Sequence, residues 1–245
     1  MQVTLLGTGS AFPSPTRVQS GLLVEHDENR MLVDCGSGVI HRLAQVGTDY
    51  RDVSTVLLSH HHLDHVADLP SLIKARILSD HPESTVIGPP GTSEMCDRLL
   101  AHDDLLTRGE ITVREINPGS AFDACGWTIA PVRTDHTAAS VAYRFDNQVV
   151  YSGDTAPSPS IFDLADGVHT LIHECALPDD ESTSTHTSPR GLIDGLGSTD
   201  IERLVVTHLY PSMEREVEAV YERLQSALDP VVLIGEDRLQ LGLPG

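Results

Sequence analysis

The chain has 245 residues, and 40% of them are hydrophobic, which is enough apolar material for the core of one α/β domain. Its formal net charge is −20, with 36 acidic residues against 16 basic ones, so the composition disfavours a basic surface of the kind that binds nucleic acid. We predict a single domain over residues 1–245, and the charge disfavours a polyanionic substrate without excluding one.

The amino terminus and the cysteines indicate where the protein works. The opening MQVTLLGTGSAF lacks the basic region and the apolar run of a signal peptide, and no stretch of about 18 apolar residues is present to cross a bilayer. We therefore expect a cytoplasmic protein without a membrane partner. The cysteines form no C-x-x-C pair, which argues against a thiolate zinc site, so any metal is expected on nitrogen and oxygen ligands.

Short β-like runs recur along the chain and are separated in places by segments with helical spacing of apolar residues. In chain order, the predicted strands are QVTLLG, GLLVEH, RMLVDC, TVLLSH, STVIGP, ITVREI, WTIAPVR, SVAYRF, QVVYSGD, TLIHEC, RLVVTHL and PVVLIG. The predicted helices are GVIHRLAQVG, VADLPSLIKARILS, SEMCDRLLAHDDLL and EREVEAVYERLQSAL. Many strands with few helices do not fit a strict βα alternation, so two packed sheets with helices outside are the better prediction.

Five of the predicted strands end at a polar side chain that can bind a metal or move a proton. Strands deliver such side chains to one edge of a fold on rigid supports. We therefore expect the five endings to form one shared site. The residues are His60, His136, Asp154, Glu174 and His208.

The stretch LSHHHLDHVADL contains four histidines and one aspartate in six consecutive positions. If the preceding strand continues to His62, its period of two points His60 and His62 to one face and His61 to the other. Burying several unpaired imidazoles is costly, which argues against a purely structural cluster. Neutral imidazoles with carboxylates suit zinc, and this many donors exceed the needs of one tetrahedral ion, so we predict two metals.

The remaining histidines have a simpler interpretation. A lone histidine is usually structural or exposed, and we assign that role to His26, His41, His81, His102 and His169. His173 is expected beside the site or in a structural role. Phe12 and Arg17 follow the first strand and Tyr210 follows a candidate ligand, but we assign no substrate contact to them.

The motif HHHLDH resembles the H-x-H-x-D-H signature of the metallo-β-lactamase superfamily, and TDHT, SGDT and VTHLYP resemble its later motifs in the same order. This resemblance implies an αββα sandwich of two mixed sheets flanked by helices. It also implies two divalent metal ions, of which zinc suits the donors best and manganese or iron are alternatives. The implied ligands are His60, His62, His136 and Asp154 for metal one, and Asp64, His65, Asp154 and His208 for metal two.

Further motifs resemble those of the ribonuclease Z-like branch of that superfamily. LLGTGSAFPSPTR with MLVDCGSG resembles its opening, LIHECA its H-E-A-T motif and HTSPRG its H-S-T motif. The branch implies a phosphodiesterase in which a metal-bridged hydroxide attacks the ester, and it is often a homodimer. The implied catalytic residues are Asp64, which orients the nucleophile, and Glu174 with His186, which supply the proton for the leaving group.

The sequence departs in two places from the transfer-RNA-processing members of that branch. Those members commonly carry a long RNA-gripping arm between the third motif and the bridging aspartate, whereas only 17 residues separate His136 from Asp154 here. The final motif reads THLYP where those enzymes resemble H-x-S-x-R-Y. With the net charge, these departures lead us to predict a phosphodiesterase for small or short phosphodiesters.

Other functions are compatible with the same residues. The nearest is transfer-RNA 3′ processing of the ribonuclease Z type, and a hydrolase of lactones, aryl sulfates or β-lactams is possible on the same metals because the site and not the fold decides function. A metal-binding module without activity is the alternative from another class, and it predicts eroded ligands. All seven candidate ligands are present in the sequence.

Overall fold

The strands lie in two seven-stranded sheets, and the helices lie outside them. This computed structural model describes residues 1–136, 139–181, 183–197 and 199–244, without the side chain of residue 107. In chain order, its strands are β1 (Gln2–Gly7), β2 (Gly21–His26), β3 (Asn29–Val33), β4 (Thr55–Leu57), β5 (Glu83–Gly88), β6 (Glu110–Glu115), β7 (Phe122–Ala124), β8 (Trp127–Arg133), β9 (Val141–Phe145), β10 (Val149–Tyr151), β11 (Val168–Glu174), β12 (Ile201–Thr207), β13 (Val231–Ile234) and β14 (Leu239–Gly242).

Both sheets mix parallel and antiparallel pairs. The first has the order β14-β1-β2-β3-β4-β5-β6, antiparallel from β14 to β3 and parallel from β3 to β6. The second has the order β13-β12-β11-β10-β9-β8-β7, parallel from β13 to β10 and antiparallel from β10 to β7. The central parallel strand β11 is buried along nearly its whole length, as expected for a strand covered on both faces.

The helices are α1 (Val39–Gln45), α2 (Leu63–Val66), α3 (Leu69–Leu78), α4 (Thr92–Leu100), α5 (Pro159–Ala165), α6 (Pro189–Leu196), α7 (Pro211–Arg215) and α8 (Val217–Ala227). In α3, Leu69, Leu72, Ile73 and Ile77 recur at helical spacing and are all buried, which is the pattern of a helix that packs on a sheet. No helix in the described ranges combines the length and the hydropathy that a membrane crossing needs.

Three hydrophobic clusters hold these layers together. One joins the inner faces of the two sheets and includes Leu5, Leu57, Tyr143 and Ile172. The second packs the first sheet against α1, α3 and α4, and the third packs the second sheet against α5, α6 and α8. This order of helix, sheet, sheet and helix confirms the αββα sandwich predicted from the sequence.

Several element bounds differ from the prediction. The run VADLPSLIKARILS is not one helix, because α2 ends at Val66 and α3 begins at Leu69, with a proline in its first turn where the missing N–H is not needed. The strand predicted as TVLLSH ends at Leu57. Strands β7 and β14 and helices α5 and α6 were not predicted.

Candidate metal centre

Polar side chains from both sheets meet where strands end. His60 and His62 follow β4, His136 follows β8, Asp154 follows β10 and His208 follows β12. Asp64 and His65 lie within the short helix α2, and both are buried. The structure therefore brings the predicted strand endings together at one edge.

The seven candidate ligands form two groups of four that share Asp154. In each group the potential ligand atoms all lie within 4.8 Å of one another. The first group is His60, His62, His136 and Asp154, and the second is Asp64, His65, Asp154 and His208. These are the two sets implied by the resemblance, and their role as ligands stays a prediction.

Buried ring nitrogens and a carboxylate oxygen without hydrogen bonds show whether a metal would fit this site. The Nε2 atoms of His60, His65 and His208 and Oδ1 of Asp154 are buried and form no well-aligned hydrogen bond within the described part of the chain, although His65 Nε2 lies 3.3 Å from Asp154 Oδ1. A buried polar atom without a partner costs free energy, so a cluster of four such atoms is unstable unless something binds them. Divalent cations that accept imidazole and carboxylate donors fit this set, and zinc is foremost among them.

The opposite ring nitrogens are held by other side chains or by backbone. Such contacts fix the ring orientation and leave the other nitrogen for a metal. The Nδ1 contacts are His60 with Ser59 Oγ at 3.0 Å, His65 with Asp34 Oδ2 at 2.8 Å, His208 with Ser20 Oγ at 2.9 Å, and His136 with the carbonyl of Thr185 at 3.0 Å.

Burial keeps two of these rings neutral. It lowers the pKa of His60 well below its usual value and lowers the pKa of His208 to about 4, in each case as the largest cause. A neutral imidazole has the free lone pair that a metal needs, whereas an imidazolium has none. Both rings are therefore ready to bind a cation at neutral pH.

Asp34 is a residue of the site that we missed in the sequence. It follows β3 and is fully buried, and its Oδ2 accepts hydrogen bonds from His65 Nδ1, Tyr151 and the Ser59 hydroxyl at 2.7–2.8 Å. Its Oδ1 accepts the backbone N–H of Ser59 at 2.7 Å. The signal was present, because Asp34 is a polar residue directly after an apolar strand, like the five endings that we did select.

The same contact explains why β4 ends earlier than the sequence predicts. The N–H of Ser59 donates to Asp34 instead of to a neighbouring strand, so β4 ends at Leu57 and does not continue to His62. The positions of the three histidine rings nevertheless agree with the prediction. His60 and His62 lie together, with ring centroids 4.6 Å apart, while His61 turns away to Thr92 Oγ1 at 2.8 Å.

The buried Glu174 and the partly buried His186 form a pair beside the two ligand groups. Glu174 Oε1 lies 2.8 Å from His186 Nδ1, and the carboxylate also accepts the backbone N–H groups of Thr155, Ala176 and Thr187. The ring of His186 lies 5.1 Å from that of His136 between centroids, so it borders the candidate metal centre.

The charge of Glu174 controls the protonation of His186. Burial lowers the pKa of His186, but the hydrogen bond and charge of Glu174, together with the charges of Asp154 and Asp64, outweigh it, so the pKa is raised overall. His186 can therefore carry a proton near neutral pH, as a general acid must. His173 contacts the carbonyl of Glu174 and stacks on Phe162, with ring centroids 5.7 Å apart, which is a structural position.

Comparisons with known proteins identify relatives of this chain. The family model described as anti-Pycsar protein Apyc1 matches residues 1–223. A ribonuclease Z of Mycobacterium bovis (strain BCG / Pasteur 1173P2) is 33% identical over 244 residues, covering 87% of each chain. A ribonuclease Z of Mycobacterium avium (strain 104) is 33% identical over 278 residues, covering 100% of this chain and 99% of the relative.

A solved structure supports the same fold. The metallo-β-lactamase fold protein YhfI from Bacillus subtilis superposes with a TM-score of 0.86 at 22% identity and covers 98% of each chain. The alignment with the Mycobacterium avium protein runs over 278 positions, whereas this chain has 245 residues. That relative therefore contains segments that this chain lacks.

Proposed function

The chain belongs to the family of anti-Pycsar protein Apyc1 and to the ribonuclease Z-like branch of the metallo-β-lactamase superfamily, and from its site we propose that this metal-dependent hydrolase cleaves phosphodiester bonds. One observation carries the proposal. Two groups of four metal-binding side chains share Asp154, and a paired glutamate and histidine lie beside them. Two cations and a nearby proton donor are the requirements for in-line displacement at phosphorus.

Each residue has a distinct part in the proposed reaction. When bound, two divalent ions, which we propose to be zinc, supply Lewis acidity that activates water and offsets charge on the phosphoryl oxygens. Asp154 fixes the two ligand groups against each other, and Asp64 orients the nucleophile through its second carboxylate oxygen.

The paired side chains complete the reaction. His186 donates the proton on Nε2 to the leaving oxygen, and Glu174 holds the ring by Nδ1 so that this nitrogen faces the bond to be cleaved. The general acid is thus oriented by a buried carboxylate that is itself fixed by backbone N–H groups.

RNA is our first candidate substrate. The small phosphodiesters that we predict from the two motif departures and the net charge are supported less well than the alternative, cleavage at the 3′ end of transfer RNA, because the curated relatives at 33% identity are named ribonuclease Z. We therefore place the ribonuclease Z-type activity before the small-substrate activity.

Small phosphodiesters remain the second candidate because of one specific observation. The segment between His136 and Asp154 has only 17 residues, and the ribonuclease Z of Mycobacterium avium has segments that this chain lacks. A chain with net charge −20 and a short segment at this position has fewer means of holding a polyanion.

One experiment tests the proposal and separates the two substrates. Metal-loaded protein is incubated with a transfer-RNA precursor carrying a 3′ extension and, in parallel, with bis(p-nitrophenyl) phosphate. We expect cleavage of the precursor at its 3′ end, lost in His186→Asn and kept in His102→Asn, an exposed histidine outside the site. Hydrolysis of the small diester alone supports the second candidate, and hydrolysis of neither by metal-loaded protein contradicts the proposed function.

A further inference from the structure

An exposed aromatic ring lies next to the candidate metal centre, on its solvent side. Phe12 is 52% exposed, and its ring meets Tyr210 edge-on, with centroids 5.3 Å apart and planes at 64°. Tyr210 in turn lies 5.5 Å from His186 and 5.9 Å from His208 between ring centroids. A row of rings therefore begins at the ligand groups and ends at the half-exposed ring of Phe12.

The loop that carries Phe12 is fixed at both ends. On its amino-terminal side, Gly9 forms a parallel bridge with Leu209, and the N–H of Leu209 donates to the carbonyl of Thr8 at 3.1 Å. This bridge holds the start of the loop beside the segment that contains His208 and Tyr210.

The carboxyl-terminal side of the loop is tied to helix α7, which begins directly after Tyr210. Arg17 Nε donates to Glu214 Oε1 at 2.8 Å, and the hydroxyl of Ser14 donates to the same oxygen at 3.3 Å. Arg17 is therefore engaged within the protein and is not a free contact for a substrate anion. These ties position the Phe12 ring relative to the metal centre before any ligand binds.

Tyr210 is fixed from the other side by the candidate general acid. Its hydroxyl lies 3.4 Å from Nε2 of His186, so that end of the ring points toward the reacting groups, and the ring plane meets that of Phe12 at 64°. The aromatic pair thus borders the place where the leaving group or its neighbour must lie. An aromatic face at that position offers stacking to a planar group of the substrate.

We infer that Phe12, backed by Tyr210, is a stacking surface for a nucleobase of the substrate, next to the phosphate at the metal centre. This inference rests on the proposed phosphodiesterase function and deepens it, since it requires a nucleotide and not a simple alkyl or aryl ester. Base–aromatic stacking tolerates any base because each has a π face. The surface is therefore expected to recognise the presence of a base and not its identity.

Equilibrium binding tests the inference without turnover. Dissociation constants of the metal-loaded protein are measured by calorimetry for adenosine 5′-monophosphate and for ribose 5-phosphate, which has the same phosphate and sugar but no base. We expect the nucleotide to bind the wild type more tightly. Phe12→Leu should weaken nucleotide binding by about tenfold, Phe12→Trp should preserve it, and neither should change ribose 5-phosphate binding.

A matched control is Tyr221→Leu, which replaces a 41% exposed aromatic ring on α8 and should leave both constants unchanged. Equal affinity of the wild type for the two ligands, or unchanged nucleotide affinity in Phe12→Leu, overturns the inference. Failure of the phosphodiesterase proposal is a separate result, because it is read from absent hydrolysis of both substrates and not from binding.

Discussion

At the scale of single residues, Glu174 helps to set the pH at which His186 loses its proton. The carboxylate raises the pKa of His186 against the opposing effect of burial. Glu174→Gln removes the charge and lowers that pKa, so the acid form of His186 is lost at lower pH. The basic limb of the kcat–pH profile should move to lower pH, and kcat at about pH 8 should fall by roughly 10²-fold.

The pH profile of a control variant distinguishes this effect from general damage. Glu202→Gln also removes a carboxylate that faces a histidine, since Glu202 Oε2 lies 3.4 Å from Nε2 of His169, but that pair is outside the site. Its profile should match the wild type. A basic limb that stays in place in Glu174→Gln would show that His186 is not the general acid.

Asp34 is expected to act through His65. Asp34→Asn removes the charge that holds His65 Nδ1, and we expect the affinity for the second metal to fall by about 10–100-fold. The measurement is competition with a chromophoric chelator. Asp68→Asn serves as the control, since Asp68 accepts N–H groups of α1 and contacts no candidate ligand. Equal loss of metal affinity in both variants would show that Asp34 has only a structural role.

At the scale of elements, the loop after β3 must approach α2 closely. A Cβ on Gly36 would lie 2.1 Å from the carbonyl oxygen of Asp64 and 2.7 Å from Cβ of Gln19. Both neighbours are held in place, because the carbonyl of Asp64 accepts the N–H of Ser20 at 3.1 Å. Only glycine therefore permits this packing.

Gly36→Ala should lower the free energy of unfolding by about 1–3 kcal/mol, measured by urea denaturation, because the extra carbon must displace the turn that carries Asp64 and His65. Gly242→Ala is the matched control, since a Cβ there meets nothing within 4 Å in the described part of the chain. Similar stability changes in the two variants would contradict the close approach at Gly36.

The elements that could be predicted from the sequence are those with strong local patterns. The long runs QVTLLG and GLLVEH correspond to β1 and β2 residue for residue. Strand β7 has three residues and β14 has four, too few for a period of two to appear. Helix α6 has two glycines in eight residues, so its local propensity for helix is low, and its buried apolar face and the Ser188 N-cap stabilise it.

Some residues of the site could likewise be predicted from short motifs, whereas others depend on contacts between residues that are distant in the sequence. Resemblance to short family motifs gave the seven candidate ligands, which the structure brings together, and also gave Glu174 and His186, which form a hydrogen-bonded pair. Ser20 contacts His208 from 188 residues away in the sequence, and Asp34 contacts His65 from 31 residues away. The place of Asp34 after an apolar strand marks it as a candidate site residue, but no local pattern predicts which ring it contacts. The early end of β4 has the same cause, since it depends on Asp34 reaching Ser59.

At the scale of the whole molecule, the net charge of −20 should govern how salt affects the two candidate substrates. Salt screens repulsion between like charges, so kcat/KM for a polyanionic RNA should rise by roughly tenfold from about 20 to about 200 mM KCl. The value for bis(p-nitrophenyl) phosphate, with one charge, should change little. A fall in kcat/KM for RNA, as basic proteins show, would contradict the prediction and indicate a local positive surface.

The central claim is that two cations held by ligand groups with a common Asp154 make this site a phosphodiesterase. The most direct test is a titration of metal-free protein with zinc while hydrolysis of bis(p-nitrophenyl) phosphate and bound metal per chain are both followed. We predict that activity appears with the second equivalent bound and that Asp154→Ala neither binds two ions nor turns over. Full activity with one ion, or none with two bound, would contradict the account.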